Sequence, residues 1–168
     1  MWLTLLPVGT AALPAVGATV AIDLVVLGGI WLALRPRGAD IRSVSDLERA
    51  ITDEKPLLVE LSSSLCLISM ANRQTLREAA AALGDSARLG RVELPAAAGR
   101  VIGDTYGIVY TPSFLLFDAH GKLARRIVPD TVAPLANGYR VLDETGSVVG
   151  REPRITPELL VSLVRRAA

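Results

Sequence analysis

Apolar and polar positions divide the chain into two unlike parts. Residues 13–34, LPAVGATVAIDLVVLGGIWLAL, form an apolar run in which Asp23 is the only charged residue. A helix of about 20 residues crosses the ~30 Å hydrocarbon core of a bilayer. We therefore predict one transmembrane helix at about 13–34, within an N-terminal segment 1–34. A cleavable signal peptide and a buried core helix are weaker alternatives, the first because no Lys or Arg precedes the run.

The remaining pattern predicts a linker at 35–42 and a folded domain at 43–168. Its apolar runs and end signals first predict a helix at 46–53 with a Ser45/Glu48 capping box, and then a strand at 56–62. A helix from Cys66 to Gly84, a strand at 87–94 and a helix ending near Gly107 follow. The strand pair PSFLLFD and KLARRIV and a final helix capped by Thr156 complete the predicted domain. Within the second of these helices, Met70, Leu76, Ala80 and Leu83 are available for a buried face.

The order of these elements predicts a mixed α/β fold with a central sheet flanked by helices. Strands that alternate with helices favour parallel pairing, and the late hairpin adds antiparallel strands. An extra segment at about 129–153 contains GYRVLDETGSVVGR, which is typical of an additional hairpin.

Charge and metal-binding residues exclude several function classes. The formal net charge is +1, so the composition does not indicate nucleic acid as a partner. His120 and Cys66 are the only histidine and cysteine, which rules out an internal disulfide and does not make a metal site or a hydrolase triad. We expect no cofactor and no metal.

The apolar run carries features that predict a partner in the membrane. A carboxylate such as that of Asp23 costs about 2.5–3.5 kcal/mol at the centre of a spanning helix, so it should face protein. Gly17, Ala21 and Gly28 share another face and would allow close helix contact. These four residues predict contact with an integral membrane protein.

Basic residues predict the orientation of a single-pass protein in the cell membrane. Arg35, Arg37 and Arg42 follow the apolar run, and no basic residue precedes it. The positive-inside rule therefore places the folded domain in the cytoplasm, with an extracytoplasmic domain as the alternative.

Two stretches of the chain, KPLLVELSSSLCLIS and YGIVYTPSFLLFDAHGKL, carry a family resemblance. The first resembles the strand and active-site turn of the thioredoxin superfamily, and the second resembles its cis-proline segment. The resemblance implies a thioredoxin-like fold and places Cys66 on the nucleophilic cysteine, Ser69 on the resolving one and Glu60 on a buried acid that assists proton transfer. It also implies a cis peptide bond before Pro112. Glu60 facing outward from a sheet edge remains an alternative.

Because the resemblance places Ser69, not a second cysteine, at the resolving position, two functions remain open. A helix N-terminus lowers the pKa of a thiol, whereas the apolar neighbours Leu65, Leu67 and Ile68 are expected to bury Cys66 and keep it inert. The first hypothesis is a membrane-anchored, non-catalytic accessory or structural subunit of a larger membrane complex. The alternative is a monothiol thiol–disulfide oxidoreductase or thiol-binding adaptor with a thiol-containing protein client, in which Ser69 could donate a hydrogen bond to Cys66.

Overall fold

A computed structural model describes residues 25–26, 40–130 and 138–168. The chain divides into two units, Met1–Arg37 and Gly38–Ala168. Within the described residues, no helix has both the length and the apolar character needed to cross a bilayer. The predicted span at 13–34 lies outside them except for Val25 and Val26, and so do its four proposed contact residues, Asp23, Gly17, Ala21 and Gly28.

The second unit is built from alternating strands and helices. They are α1 (Val44–Ile51), β1 (Leu57–Ser62), α2 (Leu67–Leu83), a 3₁₀ turn (Gly84–Ser86), β2 (Arg88–Glu93), α3 (Ala97–Tyr106), β3 (Ser113–Phe117), β4 (Leu123–Pro129), β5 (Tyr139–Leu142), β6 (Val148–Glu152) and α4 (Pro157–Ala167).

The described strands form one six-stranded sheet in the order β2-β1-β3-β4-β5-β6. Strand β1 pairs in parallel with β2 and antiparallel with β3, and the remaining neighbours are antiparallel. This confirms the predicted mixed α/β architecture. The β5–β6 pair is the additional hairpin predicted within 129–153, and it widens the sheet beyond β4.

Helix α1 begins two residues earlier than predicted. The hydroxyl of Ser43 accepts a hydrogen bond from the Asp46 backbone N–H (3.1 Å), and the Asp46 carboxylate accepts one from the Ser43 N–H (2.9 Å). This reciprocal capping box satisfies N–H groups that a helix start leaves unpaired. The prediction that Ser45 and Glu48 form the box, with a helix at 46–53, is therefore wrong.

Hydrophobic side chains cover both faces of the sheet. On one face, α2 and α4 pack over alternate residues of the central strands, including Leu58 and Phe114. On the other face, α1 and α3 cover Val59, Leu115 and their neighbours. The alternation follows from the two-residue period of a β-strand.

The buried face of α2 differs in detail from the prediction. Leu83 is buried and Leu76 packs against the core, as expected. Ala79 is fully buried, whereas Ala80 and Met70 are only partly so.

Candidate functional site

Cys66 lies where β1 gives way to α2. It is the N-cap residue of α2, and its carbonyl accepts a hydrogen bond from the Met70 N–H (3.0 Å). Its own N–H donates to the carbonyl of Ser63 (3.0 Å), which closes a tight turn ahead of the helix. The sulfur therefore lies beside the unpaired N–H groups and the positive end of a 17-residue helix.

The apolar neighbours of Cys66 do not bury it, which corrects the sequence-based expectation. Leu65 is 91% exposed and Leu67 is 79% exposed, while Cys66 itself is half-buried. The side chains on either side of the N-cap project into solvent because the chain is turning there. The expectation that Leu65 and Leu67 bury the thiol is therefore wrong.

Local hydrogen bonding sets the pKa of the Cys66 thiol. Partial burial raises this pKa, but groups that can donate to an ionised sulfur, namely the Ser69 hydroxyl and N–H, the Thr111 side chain and the Ile68 N–H, together bring it below its ordinary value. A lowered pKa increases the fraction of thiolate, which is the nucleophilic form.

Ser69 is the neighbour that most directly favours the thiolate. Its side chain is completely buried on α2, and its hydroxyl has no hydrogen-bond partner among the described residues. A buried unpaired hydroxyl costs about 1–3 kcal/mol. Ionised Cys66 supplies the acceptor that this hydroxyl lacks, so Ser69 stabilises the thiolate.

The segment before β3 completes the surroundings of the sulfur. The Thr111–Pro112 peptide bond is cis, as the resemblance implied. The Cys66 Sγ atom lies 3.7 Å from the Thr111 carbonyl oxygen, to which a protonated thiol donates. Pro112 itself is buried, so it shapes the site through the backbone.

Glu60 lies on β1, an interior strand of the sheet. It is 1% exposed on β1, a strand with neighbours on both sides, so the alternative of an outward-facing edge residue is wrong. Burial raises its pKa to about 7, although the positive charges of Arg91 and Arg73 oppose the change. The Arg91 Nε atom is 3.4 Å from Glu60 Oε2, an ion-pair contact that does not form a hydrogen bond.

Sequence reasoning missed four polar residues near Cys66 and Glu60. Arg91 on β2 donates to the Ser62 hydroxyl (2.8 Å), and Glu93 on the same strand accepts from the Ser64 N–H (2.6 Å). The others are Arg73 on α2 and Tyr139 on β5. Burial raises the pKa of Tyr139, a hydrogen bond with the Asn72 side chain lowers it, and the charges of Cys66 and Glu60 raise it further.

Little in the sequence could have identified these four residues. Arg91, Glu93 and Tyr139 come from other strands and carry no motif. Only the helical spacing of Arg73, seven residues after Cys66, would have placed it on the same side of α2.

Exposed apolar side chains occupy the two segments that meet at the thiol. Leu65 and Leu67 flank Cys66, and Val109 (74% exposed) and Tyr110 (47% exposed) precede Thr111. These side chains are available for contact with another molecule.

The remaining candidates do not join this site. His120 is exposed in the β3–β4 turn, where its N–H donates to the Asp118 carboxylate (2.9 Å). Across 40–130 and 138–168, no group of three or more His, Cys, Asp or Glu side chains is arranged to hold a metal ion.

Solved structures provide the comparison that decides the fold. A point mutant of the thioredoxin from Halobacterium salinarum NRC-1 superposes with a TM-score of 0.53 at 13% identity, covering 76% of this chain and 87% of that one. The fold is thioredoxin-like. The thioredoxin-like domain also matches thioredoxin from Fasciola hepatica (TM-score 0.48, 16% identity, 56% of this chain and 89% of that one) and mitochondrial thioredoxin 3 from Saccharomyces cerevisiae (0.47, 11%, 74% and 91%).

Neither a protein-family model nor a curated protein matches the sequence. At these identities the structural likeness shows the fold alone. The function of the thioredoxin-like domain has to be argued from its site.

Proposed function

We propose that this thioredoxin-like domain forms mixed disulfides through Cys66 with a thiol-containing protein client, as a monothiol exchange or thiol-binding domain. The observation that carries the proposal is the environment of the sulfur. An accessible thiol at a helix N-terminus has a lowered pKa and faces a buried serine hydroxyl in need of an acceptor. The exposed apolar side chains around it supply a contact surface for the client.

The exchange proceeds in two balanced steps. The Cys66 thiolate attacks a disulfide, forming a new S–S bond to one sulfur while the other leaves as a thiolate. The chain contains a single cysteine, so an internal thiol cannot break this bond. A second thiol, from the client or from a small molecule such as glutathione, attacks the mixed disulfide and releases Cys66 as a thiolate.

Trapping with glutathione disulfide tests the proposal. We expect the intact chain to gain the mass of one glutathionyl group and to retain it until an external thiol is added. Cys66→Ser should gain nothing. Ser69→Cys should lose the adduct by internal attack and form a disulfide between Cys66 and the introduced thiol, since it restores the Cys-x-x-Cys spacing. No adduct on the wild-type chain, with the thiol shown to be reduced, would refute the proposal.

A second candidate is a structural subunit anchored in the cell membrane and bound to an integral membrane protein. It is favoured by the loss of the resolving cysteine and by the apolar segment 13–34, whose orientation would leave the domain in the cytoplasm. Extraction in mild detergent separates the candidates. A structural subunit should co-purify with its partner equally well as wild type and as Cys66→Ser, whereas a thiol-dependent complex should be lost in that variant.

A further inference from the structure

One carboxylate reaches the turn before Cys66 from a different strand. Glu93 is the last residue of β2, and its Oε1 atom accepts a hydrogen bond from the backbone N–H of Ser64 at 2.6 Å. The bond joins positions 29 residues apart in the sequence. Hydrogen bonds to a charged acceptor are shorter and stronger than neutral ones, so this contact is well suited to hold a loop.

The register of the sheet explains why Glu93 can reach this N–H. Glu93 is paired with Ser62 at the end of the parallel β1–β2 ladder, and the Leu94 N–H donates to the Ser62 carbonyl (2.8 Å). The chain leaves the sheet immediately after Ser62. The Glu93 side chain therefore extends from the last paired position toward the first residues that the sheet itself does not hold.

The bond fixes the turn that delivers the thiol. Within that turn the Leu65 N–H donates a hydrogen bond to the Ser63 hydroxyl (3.3 Å), and the Cys66 N–H donates one to the Ser63 carbonyl (3.0 Å). These are local contacts that a free turn could make in several orientations. The Glu93 carboxylate ties the same turn to β2.

We propose that Glu93 is a positioning residue for Cys66, holding the turn of residues 63–66 so that the sulfur meets the Ser69 hydroxyl and the Thr111 segment. The proposal rests on the proposed function of Cys66 as a thiolate nucleophile. Glu93 acts through the Ser64 N–H and does not touch the reacting sulfur. Its neutral isostere should therefore keep the role, because a glutamine oxygen also accepts a hydrogen bond.

Two measurements on the full chain in detergent test the role of Glu93. The first is the pH dependence of Cys66 alkylation by iodoacetamide, and the second is amide hydrogen exchange at Ser64. For Glu93→Ala we expect alkylation at neutral pH to slow by roughly threefold to tenfold, because the variant loses one hydrogen bond that positions the turn. Hydrogen exchange at the Ser64 amide should accelerate. Glu93→Gln should remain close to wild type in both measurements.

Two further variants keep the outcome unambiguous. Glu78→Ala removes a carboxylate from the exposed side of α2, where it accepts from Gln74, and should change neither measurement. Glu93→Asp keeps the charge but shortens the side chain by one methylene, so it should resemble Glu93→Ala and serves if the alanine variant does not fold. Wild-type alkylation rates in Glu93→Ala and Glu93→Asp, or an equal loss in Glu93→Gln, would overturn the proposal.

The same data separate this inference from the function on which it rests. A wild-type profile with an ordinary thiol pKa would count against thiolate chemistry at Cys66. The positioning role is judged by the difference between the Ala and Gln variants, and by the Ser64 amide, whatever the wild-type value.

Discussion

Opposing effects on two buried or half-buried acids define the chemistry of the site. Cys66 has a thiol pKa below its ordinary value because hydrogen bonds outweigh its partial burial. Glu60 has a carboxyl pKa raised to about 7 because burial outweighs the attraction of Arg91 and Arg73. The two pKa values are moved in opposite directions, and perturbed groups of this kind cluster at functional sites.

Ser69→Ala is expected to weaken the nucleophile. The substitution removes the buried hydroxyl from which the thiolate would accept a hydrogen bond. A hydrogen bond to a charged group is worth about 1.5–3 kcal/mol. Alkylation of Cys66 by iodoacetamide at pH 7 should slow by about tenfold or more, and the pH profile should move upward. Ser86→Ala removes a hydroxyl bonded to the Leu83 carbonyl at the other end of α2 and serves as the control. An unchanged profile in Ser69→Ala would mean that the hydroxyl does not contact the thiolate.

Glu60 should make the stability of the domain depend on pH. Its carboxyl has a pKa of about 7 in the folded protein against a reference value of 4.5, so the folded state binds the proton more tightly than the unfolded state. Stability therefore decreases as pH rises from about 4.5 to about 7, by about 3 kcal/mol from this group, and is level above that window. The free energy of unfolding in urea, measured across pH 4–8, should lose this slope in Glu60→Gln.

A matched variant checks that the slope belongs to Glu60. Glu78→Gln removes an exposed carboxylate from α2 and should keep the wild-type slope. If Glu60→Gln also keeps it, the carboxyl of Glu60 has the same pKa in the folded and unfolded states, and the proton-transfer interpretation fails.

The β5–β6 hairpin forms one end of the described sheet. It extends the sheet beyond β4, and the charges of Cys66 and Glu60 contribute to the raised pKa of its first residue, Tyr139. The hairpin starts at Gly138, which has a φ of +74° and whose carbonyl accepts from the Asp130 N–H (2.9 Å). Entry into β5 thus depends on a backbone conformation that favours glycine.

Gly138→Ala should destabilise the domain more than Gly107→Ala does. A Cβ atom at this position would lie 2.4 Å from the Glu152 carbonyl oxygen, which is backbone and cannot move aside cheaply. We expect a loss of about 2–4 kcal/mol in the free energy of unfolding, from the positive φ and the clash together. Gly107→Ala, also at positive φ but 3.7 Å from a flexible arginine, should lose only about 1 kcal/mol. Equal losses in urea unfolding would show that β5 relaxes around the added methyl group.

The elements were more predictable from sequence than the site. Periodicity and end signals located the described strands and even the extra hairpin, because burial patterns within one strand are local. The cap of α1 was misplaced because serines and acids alternate closely at the start of this helix and can form the same motif in more than one way, and only the fold selects Ser43 and Asp46. Leu65 and Leu67 are exposed because of the direction in which the turn leads the chain, which the local sequence pattern does not predict. Glu93 reaches the same turn from another strand, so the local sequence does not predict that contact.

At the level of the whole chain, the unit Gly38–Ala168 holds the complete site, and the N-terminal segment supplies a separate predicted property. The unit has hydrophobic cores on both faces of its sheet, and every residue discussed around Cys66 belongs to it. Residues 13–34 contribute the prediction of a membrane anchor. The two parts can therefore be tested against each other.

Removing residues 1–37 should separate anchoring from thiol chemistry. We expect the full chain to remain in the membrane pellet through high salt and alkaline carbonate and to be released by detergent, because about 20 apolar residues suffice to span the bilayer. The chain beginning at Gly38 should appear in the supernatant, unfold cooperatively, and give the same pH profile of Cys66 alkylation, since the groups that set this pKa all lie within the unit. Release of the full chain by carbonate would contradict the predicted span. A shifted alkylation profile in the shortened chain would instead show that the N-terminal segment acts on the site, which would join the two proposed functions in one mechanism.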